Sequence, residues 1–315
     1  MTFEVSFNRY QHDWYVGELY HQFYEHLVSK YGDEVKFVPF SELSSRFNYG
    51  DEISSTSIFS IYNLIVTNTK TNKTFIHSLS DYAPVMMDDN SGILNFDVAG
   101  FSCTSNLTED LMLKYSTKYN VIPSFYILEN LSDISHIENN RNNPSKLNQI
   151  YFNGLCYGER NAYRNLLSTN DLFIFNDKSN PDEYLNKTNY FNEISKYKFG
   201  LSLNGAAKIC YRDLEYFGLG VLCLREPLKL ITNEPLIDGV HYYTLLDDDI
   251  RSKLYDESEH KYIMEKINDK INYINSNDDY IDITNNARKW FESNCLPLNQ
   301  INKLESFLFD CGIIN

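Results

Sequence analysis

No stretch of this chain approaches the length of a membrane-spanning helix. Its first residues, MTFEVSFNRYQHDWY, lack the apolar core of a secretory leader. The expectation from both absences is a soluble, cytoplasmic protein with no integral membrane segment. Cations are also scarce, with 28 Lys and Arg against 43 Asp and Glu and a formal net charge of -15. An acidic surface disfavours nucleic-acid backbones and anionic membranes as partners. It does not exclude a small anionic ligand, which needs only a local cluster of Lys and Arg. The cysteines at 103, 156, 210, 223, 295 and 311 form no CxxC pair, so no zinc site is indicated and free thiols in a reducing compartment are expected. His136 and His241 have no partner at metal spacing. The glycine-rich loops end in no GKS/T, and neither the GxGxxG fingerprint nor the GxSxG elbow occurs. No DxD sits among apolar strand residues; Asp247-Asp248-Asp249 fits a helix cap or an acidic surface turn. A metal-dependent sugar transferase with a single nucleotide-binding domain is therefore disfavoured.

What is present is enough material for two cores. The chain has 315 residues, 43% of them hydrophobic, a natural length for two domains. Tyr (25) and Phe (20) are abundant, and most of these rings are expected in the core, with a minority able to stack on sugars. In the first half, Phe3 to Asn8 and Val35 to Pro39 read as strands flanking a helix over Glu18 to Lys30. Ser57 to Thr67 and Thr74 to Leu79 read as a hairpin around the polar turn 68–73. A loop from Ser80 to Gly92, a helix near Leu107 to Tyr115 and a strand from Val121 to Leu128 follow. The polar, turn-rich residues 131–148 read as a linker. The expected domains are 1–130 and 149–315.

The second half alternates more cleanly. Strands are expected at Gln149–Asn153, Asp171–Asn176, Tyr197–Leu203 and Val221–Leu224, and helices after Gly158, at Asn189–Lys196 and at Ala206–Phe217. Helices near Glu257–Ile274, Ile281–Asn294 and Leu298–Phe309 close the chain. This rhythm implies an α/β fold with a parallel sheet covered on both faces, whose ligands bind at the carboxyl ends of the strands.

Two strand-end segments could carry chemistry. The first is Asn204-Gly205-Ala206-Ala207-Lys208, whose small residues allow close approach to the backbone. Lys208, Arg212 and Glu215 are spaced to share one helical face, which suits a diphosphate and a ribose hydroxyl; a solvated face with an ordinary salt bridge fits the same spacing. The second is Gly154 to Arg160, a glycine-bearing loop with Arg at the helix start, an anion-binding arrangement that many strand–helix turns also mimic. A sugar transfer with inversion needs a base for the acceptor hydroxyl. Asp81, Asp88, Asp89 and Asp97 are candidates, with His77 and His12 behind them, and Asp81 is favoured because it follows a strand.

The runs Lys196-Tyr197-Lys198-Phe199, Leu203-Asn204-Gly205, Tyr211-Arg212-Asp213-Leu214-Glu215 and Gly218-Leu219-Gly220-Val221 resemble the donor-binding core of GT-B glycosyltransferases. The closest resemblance is to exostosin-like and capsule-associated O-glucosyl/O-xylosyltransferase groups, including viral and bacterial enzymes; in the viral case the compartment would be the host cytoplasm. The resemblance covers 149–224. It implies two Rossmann-like α/β domains facing a central cleft, with the acceptor glycan on the first and a UDP- or GDP-linked sugar on the second. It implies a donor-binding set of Gly154, Arg160, Asn204, Gly205, Lys208, Tyr211, Arg212 and Glu215, with Lys208, Arg212 and Arg160 near phosphate. Asp81 as base, inversion, no cofactor or metal, and closure about the linker complete the expectation. Ala206-Ala207 departs from the polar residues often found after the glycine and leaves the donor's identity open. The alternative is a non-catalytic glycan- or nucleotide-binding protein derived from a transferase.

Overall fold

The structure is a computed structural model that describes residues 2–7, 16–39, 42, 63–78, 97–103, 109–117, 121–122, 131–141, 143, 146–158, 160–168, 170–177, 185–204, 209–232, 234–277 and 279–315. The chain divides into two compact units. One comprises Met1–Leu131, Lys229–Pro235 and Asn294–Asn315; the other comprises Ser132–Leu228 and Leu236–Ser293. Among the described residues no helix is long and apolar enough to cross a membrane.

The first unit is built on a six-stranded sheet of β1 (Phe3–Ser6), β2 (Val35–Phe37), β3 (Asn63–Asn68), β4 (Lys73–Ser78), β5 (Asp97–Cys103) and β6 (Val121–Ile122), in the order β2-β1-β3-β4-β5-β6. The expected hairpin is present as β3 and β4, with Asn68 accepting from the backbone N–H groups of Lys70 and Thr71 to set the turn. That hairpin makes the sheet mixed. β3 runs antiparallel to both neighbours, while β1–β2, β4–β5 and β5–β6 are parallel, so this unit lacks the all-parallel sheet expected of a Rossmann-like domain. Helices α1 (Val16–Tyr31) and α2 (Glu109–Ser116) belong to this unit. Phe23 and Leu27 of α1, four residues apart, join Phe3, Val5, Val66 and Phe75 in one core.

The second unit contains α3 (Leu131–Asn140), β7 (Leu147–Gly154), α4 (Arg160–Leu167), β8 (Phe173–Asp177), α5 (Lys187–Ile194), β9 (Tyr197–Ser202), α6 (Tyr211–Leu219), β10 (Leu222–Arg225), β11 (Tyr243–Thr244), α7 (Asp248–Arg251), α8 (His260–Ser276) and α9 (Asp279–Asn294). Its five strands are all parallel, in the order β11-β10-β9-β7-β8. Side chains alternate across a strand, so the two faces can be read directly. Ile150, Phe152, Phe199, Leu201, Leu222 and Leu224 share one face and pack with Ile263, Ile267 and Ile271 of α8. Tyr151, Gly200 and Cys223 share the other, which receives α6. A Cβ at Gly200 would come within 2.5 Å of the Tyr216 ring, so the missing side chain lets α6 lie close. Burial on both faces makes these strands nearly continuous apolar runs, which is why they were legible in the sequence.

Two expected boundaries differ. The stretch 131–148 holds α3, whose Ile137 is buried and would touch any Cβ placed on Gly218 of α6. The expected second domain 149–315 loses its end, because α10 (Pro297–Asp310) joins the first unit. Ile301, Leu304, Phe307 and Leu308 complete the first core. Glu305 of α10 accepts hydrogen bonds from Lys30 (2.7 Å) and Tyr31 (3.1 Å), and lies 3.0 Å from the His26 ring.

Candidate functional site

In the second unit the chain leaves β7 for β8 on one side and returns to β9 on the other. That reversal of strand order places a crevice outside the carboxyl ends of these neighbouring strands. A pocket of about 430 Å³ occupies this place, lined by residues of both loops, of α5 and of the first turns of α6. Gly154, Arg160, Tyr211, Arg212 and Glu215, five residues singled out from the sequence, come together there.

Arg212 is the central cation. Its Nη2 donates to the Asn153 carbonyl at 2.8 Å, and its guanidinium lies 4.8 Å from the Phe152 ring centroid. Its Nε and Nη1 are buried and have no hydrogen-bond partner among the described residues. A guanidinium stays charged, and leaving two of its donors unsatisfied is costly. Nε and Nη1 point to different sides of the planar guanidinium, so each can donate to a separate anionic oxygen. Asn153 Oδ1 is likewise buried without a partner.

Gly154 seats this cation, because a Cβ there would overlap Arg212 Nη2. Gly154→Ala is expected to displace the guanidinium and cost about 1–3 kcal/mol of stability. Adding Arg212→Ala to it removes the overlap, so the second substitution should cost less in the Gly154→Ala background than alone. Urea unfolding of the three variants checks this, and simple additivity would show that Gly154 does not seat Arg212.

Glu215 is buried and accepts a 2.7 Å hydrogen bond from Tyr190 of α5. Burial first, and then the Glu215 carboxylate, push the Tyr190 phenol well up, so at neutral pH it is the donor in this pair. An ion pair between Lys187 and the buried Asp133 (2.8 Å) lines the same pocket. Tyr157 and Tyr211 add half-exposed rings. Tyr190, Lys187, Asp133 and Tyr157 were not anticipated from the sequence; the signal closest to them was aromatic abundance. Burial raises the thiols of Cys156 and Cys210 and outweighs the arginines near each, so neither is poised as a reactive thiolate.

Several expectations change. The helix carrying Arg212 begins at Tyr211, not at Ala206, because Cys210 is extended (φ -114°, ψ 159°) and donates its N–H to Asp213 at 2.7 Å. Gly205 and Lys208, both expected beside Arg212, lie outside the described residues. Asn204 lies just beyond β9, where its N–H donates to Glu226 Oε2 at 3.2 Å. Arg160 is 7% exposed and donates to the carbonyls of Leu155, Leu203 and Asn204, so its guanidinium is engaged by the protein rather than held out for a diphosphate.

Among the candidate bases, Asp81, Asp88, Asp89 and His12 lie outside the described residues. Asp97 is exposed at the start of β5. His77 is fully buried on β4, away from any solvent-borne substrate. Asp247 occupies the N-cap position of α7 and Asp248 and Asp249 its first turn, so the acidic triplet is a helix start.

A comparison with protein-family models gives no match, and neither does a comparison with curated protein sequences.

Proposed function

We propose that the second unit binds a nucleotide diphospho-sugar and that the chain is a glycosyltransferase with a GT-B-like division of labour, the acceptor glycan being held by the first unit. The observation that carries the reading is Arg212, a buried guanidinium with two donor atoms unsatisfied among the described residues, lining a pocket at the carboxyl ends of β7 and β9. In this reading Arg212 Nε and Nη1 each donate to an oxygen of the diphosphate and stabilise the charge that develops as it leaves, without a metal ion. Glu215, oriented by Tyr190, accepts from a ribose or sugar hydroxyl. Tyr157 and Tyr211 offer flat surfaces to a base or a sugar ring. The acceptor oxygen attacks the anomeric carbon, the bond from that carbon to the diphosphate oxygen breaks, and the hydroxyl proton passes to Asp81, giving inversion. Asp81 holds that role by sequence position alone, two residues beyond the first residue after β4.

The test is a panel of UDP- and GDP-linked hexoses and pentoses, assayed for binding and turnover in EDTA. Selective binding is expected. Arg212→Ala should weaken it about 100-fold, the loss of two charge-assisted hydrogen bonds. If folded wild-type protein binds no nucleotide or nucleotide sugar, the reading fails. Selective binding without turnover on any glycan acceptor would favour the non-catalytic alternative.

A further inference from the structure

We propose that Arg160 is a positioning residue that fixes the width of the crevice, and not a cation that touches the ligand. The proposal rests on reading the pocket above as a binding site, and it concerns how that site is held open. β7 and β9 pair as far as Tyr151 and Gly200, and residues beyond both strands line the pocket. Arg160 bridges the segments that follow the two strands. Its Nη1 donates to the carbonyl of Leu155 at 3.0 Å in the loop after β7. Its Nη2 and Nε donate to the carbonyls of Leu203 and Asn204, both at 2.9 Å, in the loop after β9. The planar fork of arginine can satisfy three fixed carbonyls at once; the single ammonium of lysine cannot match that geometry.

The opposite side of the β9 loop is held as well. Glu226, 3% exposed, accepts the Asn204 N–H at 3.2 Å. Arg225 reaches Asn204 Oδ1 at 3.4 Å and Asp213 Oδ1 at 2.7 Å. Asp213 lies in the first turn of α6, beside Arg212. A continuous set of bonds thus runs from the β7 loop through Arg160, Asn204 and Arg225 to the helix that carries the anion-binding cation. Arg160 acts through that frame.

The experiment pairs hydrogen–deuterium exchange of the ligand-free protein with calorimetric UDP binding, on Arg160→Lys and Arg212→Lys. Arg160→Lys keeps the charge and should speed exchange in 153–158 and 200–204 about tenfold while weakening UDP about tenfold. Arg212→Lys should weaken UDP without speeding exchange in those segments. Unchanged exchange in Arg160→Lys, or full UDP affinity despite faster exchange, overturns the proposal. If Arg160→Lys does not fold, Glu226→Ala is the second probe. Faster exchange in 200–204 with weaker UDP is expected, and protection equal to wild type would overturn the clamp. Should wild type bind no UDP, GDP takes its place as the probe; if it binds neither, the pocket reading fails, while the exchange data still decide whether Arg160 holds the two segments together.

Discussion

Replacing Arg225 with methionine is expected to destabilise the second unit by about 3–5 kcal/mol, the usual cost of leaving one member of a buried ion pair alone. Arg225 is 1% exposed and Asp213 is 0% exposed, and their Nη1 and Oδ1 atoms are 2.7 Å apart. The same Oδ1 accepts from the Cys223 thiol at 3.3 Å, and Oδ2 accepts from the Cys210 N–H. Without the guanidinium, the carboxylate would keep a neutral thiol and one amide against its full desolvation. The double variant Asp213→Asn with Arg225→Met removes both charges and keeps an acceptor for Cys210. It is expected to lie within about 1–2 kcal/mol of wild type, because most of the single-variant cost is the stranded charge. Urea unfolding of the cycle measures the coupling. A single-variant cost below about 1 kcal/mol would mean that the pair does not hold α6 to β10.

The same pair explains a reading that the sequence invited and the structure corrected. Ala206, Ala207 and Lys208 favour helix by intrinsic propensity, so a start after Gly205 was the natural expectation. Asp213 moves the start to Tyr211, because its carboxylate satisfies the Cys210 N–H from the third helical position. An acid three residues beyond a prospective cap was the available signal. Arg212 and Glu215 were legible because their spacing survives the shift in boundary. Arg160 was legible as important but not in its role, since no local pattern reveals that three distant carbonyls converge on it.

The parallel sheet of the second unit was readable because burial on both faces leaves continuous apolar strands. β5 was missed for the opposite reason. Its DVAGFSC run has no clean alternation, and Gly100 is required there because a Cβ would overlap the Cys311 thiol, a partner more than two hundred residues away in sequence. α3 was hidden by its own composition. LSDISHIENN reads as a polar connection, yet Ile137 and Asp133 are both buried, one against α6 and one paired with Lys187. The hairpin β3–β4 was expected, and so was a Rossmann-like first domain. These two expectations conflict, since adjacent strands joined by a tight turn must be antiparallel.

Acidification from pH 6.5 to 5 is expected to destabilise the protein well before its carboxylates titrate, and His77 is the cause. The ring is fully buried on β4, edge-on to Tyr20 with centroids 6.1 Å apart, and Tyr20 donates to the His77 carbonyl. Burial pushes its pKa down to about 3. The unfolded chain regains an ordinary imidazole with a pKa of about 6.5. Between these values the unfolded state holds a proton that the folded state refuses. The His77 contribution is therefore complete above about pH 6.5 and declines towards pH 3, by up to about 1.4 kcal/mol per unit. His241, also lowered by burial, acts in the same direction. Glu193 and Glu305 have lowered pKa values, with burial opposing and their hydrogen-bond partners prevailing, so their contributions fade only as pH falls below about 4.5. The window from 6.5 to 5 isolates the histidines. Chemical denaturation at pH 7.5, 6.5, 5.5 and 5 should show the wild-type decline, and His77→Leu should flatten most of it whatever its stability at neutral pH. An equal slope in His77→Leu would place the proton uptake elsewhere and contradict the buried, neutral state of this ring.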